Sequence, residues 1–334
     1  MQREGLDFLD TFSPTPVPSA IRMIATTALQ YDWTLNHSNI ERALVQSRFD
    51  REIFAQLPDG PIFITDNTVV RLNKALYGLL QSPRVFNQLA MQKLLGFGLE
   101  RCDVDACIFH RMSPGMKVVS LIVGVYIDDL IVTGESDECK SLRKHLESSF
   151  PTKNMGALSC YIGCGYKRDY WRQTLFVSQI AWCDRFAQRF GARTTSPTTA
   201  ASPVSLSPRQ EEEEKCQQPY RELVDRLVWI TNATRPDISD GVREVARHAH
   251  DPCVRHWIAA IKIVQYLSGT REKRIKYVKS QSSQKSQSSQ KSQSTQPMQT
   301  PALEKTSRIG VRCRVEQSWF LVVWCHGLVG LNIV

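Results

Sequence analysis

The chain has 334 residues, and 42% of them are hydrophobic, which is enough to bury a core over most of the length. Lysine and arginine outnumber acidic residues by 42 to 33, and the resulting net charge of +9 is compatible with a polyanionic partner without requiring one. The ten cysteines are scattered, and the first residues form no apolar stretch. These features argue against a disulfide framework, a zinc finger and secretion, and they favour an intracellular, cytoplasmic protein.

The first third of the chain predicts alternating helices and strands. Apolar residues recur at helical spacing after Ser19, which can cap that helix, and a short strand over 33–37 follows. A second strand is predicted near 69–72. It leads to a helix that Ser82 opens as a cap and Gly96 closes.

The strongest local pattern is a pair of apolar runs, 118–125 and 130–133, joined by a short acidic segment that ends in Asp128 and Asp129. Two buried strands connected by a tight turn explain it, and a helix beginning at Asp137 follows. Adjacent carboxylates repel each other unless a cation neutralises them, and Mg²⁺ prefers such oxygen ligands. The alternative is ordinary solvated turn chemistry.

The second half of the chain is predicted to be mostly helical beyond residue 175. Residues 191–219 are rich in Ser, Thr and Pro and indicate a solvated linker. Helices are predicted over 220–234, 236–250 and 252–268.

The C-terminal part changes composition. A Ser/Gln hexamer repeats from residue 280 and predicts disorder to residue 301. The last stretch, 318–334, is apolar but slightly short for a membrane span, so no membrane association is expected, with a tail anchor as the alternative.

Several sequence blocks resemble one family. The segment Tyr-Ile-Asp-Asp at 126–129 is similar to the YxDD box of reverse transcriptases, and residues 71–84 resemble the "RLKKSLYGLKQAPR" block of copia-type enzymes. Further blocks in the same order resemble that group: 8–14, 150–163, 220–224, 234–238 and 266–270. Over roughly residues 5–278 the chain therefore resembles a copia-type LTR retrotransposon reverse transcriptase, a fragment of a Pol polyprotein, in a degenerate copy.

The resemblance implies an α/β (α+β) fold, with a polymerase palm on a ferredoxin-like sheet and a helical thumb and connection region. The implied domains are 1–176 for the palm with truncated fingers and 177–278 for the thumb and connection. Residues 279–301 would be the disordered repeat, and 302–334 a divergent tail.

The function implied by the resemblance is RNA-directed DNA polymerisation with two Mg²⁺ ions, an RNA template, a DNA primer and deoxynucleotide triphosphates. Asp128 and Asp129 would be catalytic metal ligands, and the backbone carbonyl of Ile40 a further ligand. Residues expected near the nucleotide or template are Leu44, Tyr77, Gly78, Gln81 and Tyr126. Turn and helix packing is the alternative role for Tyr77 and Gly78.

The sequence departs from the family at the first catalytic carboxylate, because Asn39 stands where the aspartate belongs. Asp32 and Glu41 are poor substitutes, since the first precedes the strand and the second should point to its other face. Leu44 replaces an aromatic residue that resembles a steric gate against ribose. The upstream fingers segment and the following ribonuclease H domain are also expected to be missing.

These departures predict that polymerase activity is lost. Two alternatives to an enzyme stay open: a non-catalytic nucleic-acid-binding relic, and a translated gene fragment without selected function. The sequence gives no indication of oligomeric state.

Overall fold

A computed structural model describes residues 2–49, 51–56, 69–115, 118–192, 194–198 and 206–279, together with four short C-terminal strands. The predicted disordered repeat lies outside these residues. The chain divides into two compact units, Met1–Tyr161 and Ile162–Val334. This division falls earlier than the predicted domain boundary after residue 176. No helix in the described part of the chain is long and apolar enough to cross a membrane.

The first unit combines three α-helices with nine strands among its described residues. The helices are α1 (Pro18–Gln30), α2 (Ser82–Gly96) and α3 (Ser136–Ser149), with a 3-10 turn at Ala43–Gln46. The strands are β1 (Asn36–Ile40), β2 (Phe54–Gln56), β3 (Val69–Arg71), β4 (Glu100–Arg101), β5 (Ile108–Met112), β6 (Val119–Tyr126), β7 (Asp129–Gly134), β8 (Thr152–Ala157) and β9 (Cys160–Tyr161). The predicted mixture of helices and strands is confirmed.

Six of these strands form one antiparallel sheet in the order β4-β5-β6-β7-β1-β8. Strand β1 therefore lies between β7, the second strand of the acidic hairpin, and β8. In chain order the elements β1, α2, β6, β7, α3 and β8 form a β-α-β-β-α-β succession, with β2 and β3 inserted before α2 and β4 and β5 before β6. The four strands of this succession lie side by side in the order fourth, first, third, second.

Both faces of the acidic hairpin are buried, which explains why its strands are continuously apolar and do not alternate. On one face, Val123 and Leu130 belong to a core that includes Phe86 of α2 and Leu146 of α3. On the other face the sheet meets α1 so closely that a Cβ on Gly124 would lie 2.9 Å from Cδ1 of Ile24. The hairpin is thus fixed between two layers of helix.

The second unit contains both strands and helices. Its antiparallel strands are β10 (Cys164–Asp169), β11 (Thr174–Ser178) and β12 (Ile275–Val278). Its helices are α4 (Ile180–Arg189), α5 (Tyr220–Ala233), α6 (Ser239–Ala246) and α7 (Val254–Gly269), with a 3-10 turn at Pro236–Ile238. The C-terminal strands are β13 (Arg312–Cys313), β14 (Leu321–Trp324), β15 (Gly327–Gly330) and β16 (Asn332–Ile333).

Some local expectations were wrong. Ser19 lies inside α1, which begins after Val17, and Ser82 is the first residue of α2, where its hydroxyl donates to the carbonyl of Leu76 at 2.6 Å. The predicted continuous helix over 236–250 is a 3-10 turn followed by the shorter α6, and β12 lies in a region expected to be helical.

The expected solvated linker is anchored over part of its length. Residues 206–215, here called the strap, contain no helix and no named strand. The carbonyls of Leu206 and Ser207 lie 3.0 and 2.9 Å from Nε2 of His248 and His256, respectively. Arg255 also donates to Glu213, with Nε and Oε1 separated by 2.6 Å. Specific polar contacts therefore hold the strap to the helices.

A buried ion pair links two of the sequence blocks that resemble the family. Arg235 is 1% exposed and makes two hydrogen bonds to the carboxylate of Asp237, at 2.9 and 2.8 Å. It also donates to the carbonyl and hydroxyl oxygens of Thr270, and Tyr266 donates to Asp237 at 3.0 Å. These two blocks therefore help to hold the second unit together.

Candidate active site

The acidic turn is a tight and strained hairpin tip. Tyr126 pairs with Asp129, so only Ile127 and Asp128 form the turn. Ile127 has φ +54°, a left-handed conformation that is costly for a β-branched residue. The long pairing of β6 with β7 holds the turn in this conformation. Strained positions are often found at functional sites, and this one lies directly beside the two carboxylates.

Strand β1 brings an amide and an imidazole to Asp129. Asn39 lies directly opposite Asp129 in the sheet, and its Nδ2 donates to Oδ1 at 3.1 Å. Nε2 of His37 lies 3.0 Å from the same oxygen. Residues two apart on a strand share a face, so His37 and Asn39 approach from the same side. An ionised carboxylate only accepts hydrogen bonds, so Nε2 of His37 is the donor in this contact.

Asp128 is held differently from Asp129. Its backbone carbonyl accepts a hydrogen bond from the backbone N–H of Ile40 at 2.8 Å. Its half-exposed carboxylate makes no hydrogen bond or ion pair with the residues that the structure describes. The two neighbouring carboxylates are therefore unequal: one is engaged by β1, while the other is available to a ligand.

A buried tyrosine supports the backbone under Asp129. The hydroxyl of Tyr161 donates to the carbonyl oxygen of Asp129 at 3.4 Å, and its ring meets the ring of His37 edge to face. Burial, and then the negative charge of Asp129, raises the pKa of Tyr161 far above its ordinary value. Tyr161 therefore remains a hydrogen-bond donor at any physiological pH.

Two other predicted site residues, Leu44 and Gln81, are buried. Leu44 is 6% exposed and belongs to the core cluster beneath the turn, together with Ile40. Gln81 is 1% exposed, accepts from Gln2 at 2.8 Å and donates to the carbonyl of Asp7 at 3.1 Å.

Tyr77 and Gly78 form an open turn before α2. Tyr77 is exposed, Gly78 has φ +95°, and the position of a Cβ on Gly78 has no neighbour within 4 Å. The positive φ accounts for the glycine. Across the described residues, the contacts at the acidic turn join Asn39 and Ile40 to Asp128 and Asp129, but they do not include this open turn.

Sequence reasoning missed His37 and Tyr161. The expected strand ended at His37, whereas β1 runs from Asn36 to Ile40. Placing the strand correctly would have revealed His37 as the neighbour of Asn39 on the same face. Tyr161 is distant in sequence and gave no local signal.

The donor set at the turn is small for a metal site. The described residues contain no group of three or more His, Cys, Asp or Glu side chains that could hold a metal ion. Two adjacent carboxylates nevertheless fit one Mg²⁺, which commonly takes one or two protein carboxylates and completes its shell with water and phosphate oxygens.

An α/β domain with two adjacent carboxylates on a strained hairpin tip is suited to phosphate chemistry assisted by divalent cations. Comparison with known families makes the assignment specific. The family described as "Reverse transcriptase (RNA-dependent DNA polymerase)" matches residues 1–205, more than half of the chain. The chain belongs to this family, whose members generally use divalent metal ions.

Its relatives include Pol polyproteins of plant copia-type transposons. It is 28% identical over 280 residues to "Retrovirus-related Pol polyprotein from transposon TNT 1-94" of Nicotiana tabacum, covering 80% of this chain and 21% of that protein. It is 30% identical over 285 residues to the corresponding polyprotein "from transposon RE2" of Arabidopsis thaliana, covering 82% and 19%. The chain thus spans about a fifth of each plant polyprotein. These matches confirm the resemblance drawn from the sequence blocks.

A yeast protein matches over more of its own length. The "Putative transposon Ty5-1 protein" of Saccharomyces cerevisiae is 24% identical over 256 residues, covering 72% of this chain and 78% of that protein.

Proposed function

We propose that this chain carries the polymerase palm of a copia-type reverse transcriptase, and that its site binds a divalent cation and nucleic acid but extends primers very slowly or not at all. The observation that carries this proposal is the hydrogen bond from Asn39 to Asp129. An amide that donates to a carboxylate stands where the family has a third carboxylate.

The order of the sheet supports the assignment of a palm. A β-α-β-β-α-β succession with strands in the order fourth, first, third, second is the ferredoxin-like arrangement. The acidic turn joins the second and third strands of this succession. We assign the helices of the second unit to a thumb and connection region, because they carry the blocks that resemble that part of the family.

In an active relative, two divalent cations would activate the primer hydroxyl and neutralise the charge on the transferred phosphates. In this chain Asp128 and Asp129 would hold a cation. His37 contacts the carboxylate of Asp129, while Tyr161 and the main chain of Ile40 hold the backbone of the turn. Asn39 keeps the shape of an aspartate but offers no charge.

Electrostatics indicates the size of this loss. Two unit charges about 3 Å apart at an effective dielectric constant near 20 interact by roughly 5 kcal/mol. Each ~1.4 kcal/mol of lost transition-state stabilisation slows a reaction tenfold. A small surviving fraction of the lost interaction would therefore suppress turnover strongly.

The proposed partners are an RNA template, a DNA primer and deoxynucleotide triphosphates. The exposed pair Tyr77 and Gly78 can contact nucleic acid directly, and Tyr126 borders the acidic turn. Leu44 and Gln81 are buried, so we assign them a positioning role.

Primer extension tests the proposal. The full chain is incubated with a primed RNA template, deoxynucleotides and Mg²⁺, in parallel with the Asn39→Asp and Asp128→Ala variants. The unmodified chain should give no measurable extension, and Asn39→Asp should give more extension than the unmodified chain. Robust extension by the unmodified chain that Asp128→Ala abolishes would show that Asn39 is not the missing ligand.

The non-catalytic relic is the second candidate, favoured by the engaged state of Asp129. It predicts that the unmodified chain binds an RNA–DNA hybrid with a steep salt dependence. It also predicts that Asn39→Asp leaves extension undetectable. Salt-insensitive binding would argue against this candidate.

A further inference from the structure

On the outer face of the β10-β11-β12 sheet, basic and aromatic side chains alternate from strand to strand and form a row. Lys167 lies opposite Phe176, and Phe176 lies opposite Lys276 on the next strand. Directly paired residues project to the same side of a sheet, so Phe176 lies between two lysines of the neighbouring strands. The guanidinium carbon of Arg274 lies 4.3 Å from the centre of the Phe176 ring, and Nζ of Lys276 lies 5.9 Å from it.

This face is not needed by the core of the second unit. The alternate residues Leu175, Val177, Ile275 and Tyr277 are all nearly fully buried on the other side of the sheet. The row therefore projects outward, with Lys167 exposed and Phe176 half-buried.

The turn between β10 and β11 also carries aromatic and basic residues. Trp171 is 99% exposed, and the neighbouring Tyr170 is also exposed. Arg172 follows with its side chain largely in solvent. A fully exposed indole forgoes the stabilisation that burial of a large apolar side chain gives. A partner that covers it would recover part of this energy.

The charges on this face and turn indicate which kind of partner the surface can bind. The row and the turn present lysines and arginines, against one acid, Asp169, whose carboxylate accepts from the backbone N–H of Arg172 at 2.9 Å. Cations beside exposed aromatic rings suit single-stranded nucleic acid, because phosphates pair with the cations and unpaired bases stack on the rings. Paired bases in a duplex cannot stack in this way.

We propose that the outer face of β10-β11-β12 and the turn at Trp171 bind single-stranded nucleic acid, by base stacking on Trp171 and by phosphate contacts to Lys167 and Lys276. This surface belongs to the second unit and does not use the carboxylates of the acidic turn. It would bind a strand whether or not the polymerase site is active.

Fluorescence anisotropy with a labelled 20-nucleotide oligothymidine tests the proposal. The full chain carries Asp128→Ala and is measured in EDTA, so failure of the polymerase site does not influence the result. Adding Trp171→Ala should weaken binding about tenfold, the typical effect of removing one stacking platform. Adding Lys167→Glu and Lys276→Glu should weaken it further and reduce its salt dependence.

Matched variants in the first unit control for general effects of charge and exposed aromatic area. Lys140→Glu reverses an exposed lysine of α3, and Phe12→Ala removes an exposed ring. Both should change the affinity less than twofold, and circular dichroism should show that every variant is folded. The proposal is overturned if Trp171→Ala binds like Phe12→Ala. It is also overturned if a duplex binds as tightly as the single strand, or if Trp171→Ala weakens binding only to phosphatidylserine vesicles.

Discussion

Asn39 and Asp129 face each other across neighbouring strands, with the amide of one donating to the carboxylate of the other at 3.1 Å. An aspartate at position 39 would instead bring two negative charges to the same separation. Such a pair is stable only when a cation lies between its members or one of them takes up a proton. The amide therefore stabilises the turn without metal, and under the proposed function it takes the place of a metal ligand.

The first prediction follows from this pair. Asn39→Asp should lower the melting temperature in EDTA, because like charges about 3 Å apart repel by up to roughly 5 kcal/mol at a dielectric constant near 20. Adding Mg²⁺ should restore most of the loss, whereas the unmodified chain should respond weakly. Asn36→Asp is the matched control, because Asn36 lies on the same strand and its side-chain amide donates to the carbonyl of Thr34 rather than to a carboxylate. An equal response of both variants to Mg²⁺ would contradict the prediction.

The second prediction concerns the buried pair of Arg235 and Asp237. Burial opposes ionisation of Asp237, but the hydrogen bonds and charge of Arg235 outweigh it and lower the pKa of that carboxyl. Asp237→Asn should reduce the free energy of unfolding by about 3–5 kcal/mol, because it leaves Arg235 buried without a counter-charge. Urea unfolding followed by circular dichroism measures this change.

Asp240→Asn provides the control for that experiment. Asp240 is 96% exposed at its side chain and lies 3.6 Å from the exposed Arg243, so its loss should cost less than 1 kcal/mol. The lowered pKa of Asp237 also determines how the stability of the fold changes with pH. Its stabilisation is present above the ordinary pKa of 3.8 and is lost as pH falls through the folded value. If acid lowered the free energy of unfolding of Asp237→Asn as much as that of the unmodified chain, other groups would be responsible for the acid sensitivity.

Local sequence patterns were sufficient to predict some elements of the first unit. The acidic hairpin was predictable because two apolar runs flank a segment too short for anything but a turn. Helix α3 was predictable because Leu142 and Leu146 recur at helical spacing, and both are buried. Asn39 could be placed only by resemblance, because the short strand β1 carries little periodicity of its own.

Long-range contacts were the part that no local pattern revealed. The strap is polar and belongs to a longer segment rich in Ser, Thr and Pro, so the composition predicted a linker. Its contacts come from His248 and His256, which lie about 40–50 residues later in the chain. For the same reason the pairing of β12 with β11 was missed, since that strand is separated from its partner by about a hundred residues.

The third prediction uses two glycines with similar backbone angles. Gly163 has φ +69°, and a Cβ there would lie 2.5 Å from Nε1 of Trp182 and 2.9 Å from Cη2 of Trp229. Gly191 has φ +65° and open space around it. Alanine at either position carries the cost of a left-handed conformation, about 1–2 kcal/mol, but only Gly163→Ala adds a clash with rigid rings.

Thermal unfolding of both variants separates these two effects. Gly163→Ala should lower the stability by about 1–3 kcal/mol more than Gly191→Ala, the usual cost of overpacking. Its near-ultraviolet circular dichroism should also change, because the two tryptophan rings pack 4.8 Å apart and would have to move. Equal losses in the two variants would mean that the rings can move aside freely.

A pair of stacked histidines contacts the strap. The rings of His248 and His256 are 4.1 Å apart and nearly parallel. Nδ1 of His256 accepts the backbone N–H of Cys253 at 3.1 Å, so the neutral ring donates from Nε2 to Ser207. A proton taken up by His248 would place a positive charge against the stacked ring of His256.

The fourth prediction is that acidification releases the strap. Burial, and then the proximity of His256, lowers the pKa of His248 below its ordinary 6.5, and Arg247 and Arg255 act in the same direction. A histidine with a lowered folded pKa stabilises the fold above the ordinary value, and this contribution is lost as pH falls through the folded value. Glu213 cannot compensate, since hydrogen bonds from Arg255 and the backbone hold its pKa at about 2 and it stays charged throughout.

Limited proteolysis should therefore cleave the strap faster at pH 5.5 than at pH 7.5. His248→Gln, which keeps a donor but cannot take up a proton, should reduce that difference, while His110→Gln in the first unit should preserve it. Cleavage of the strap at the same rate at both pH values in the unmodified chain would show that the two rings are not a pH-sensitive contact.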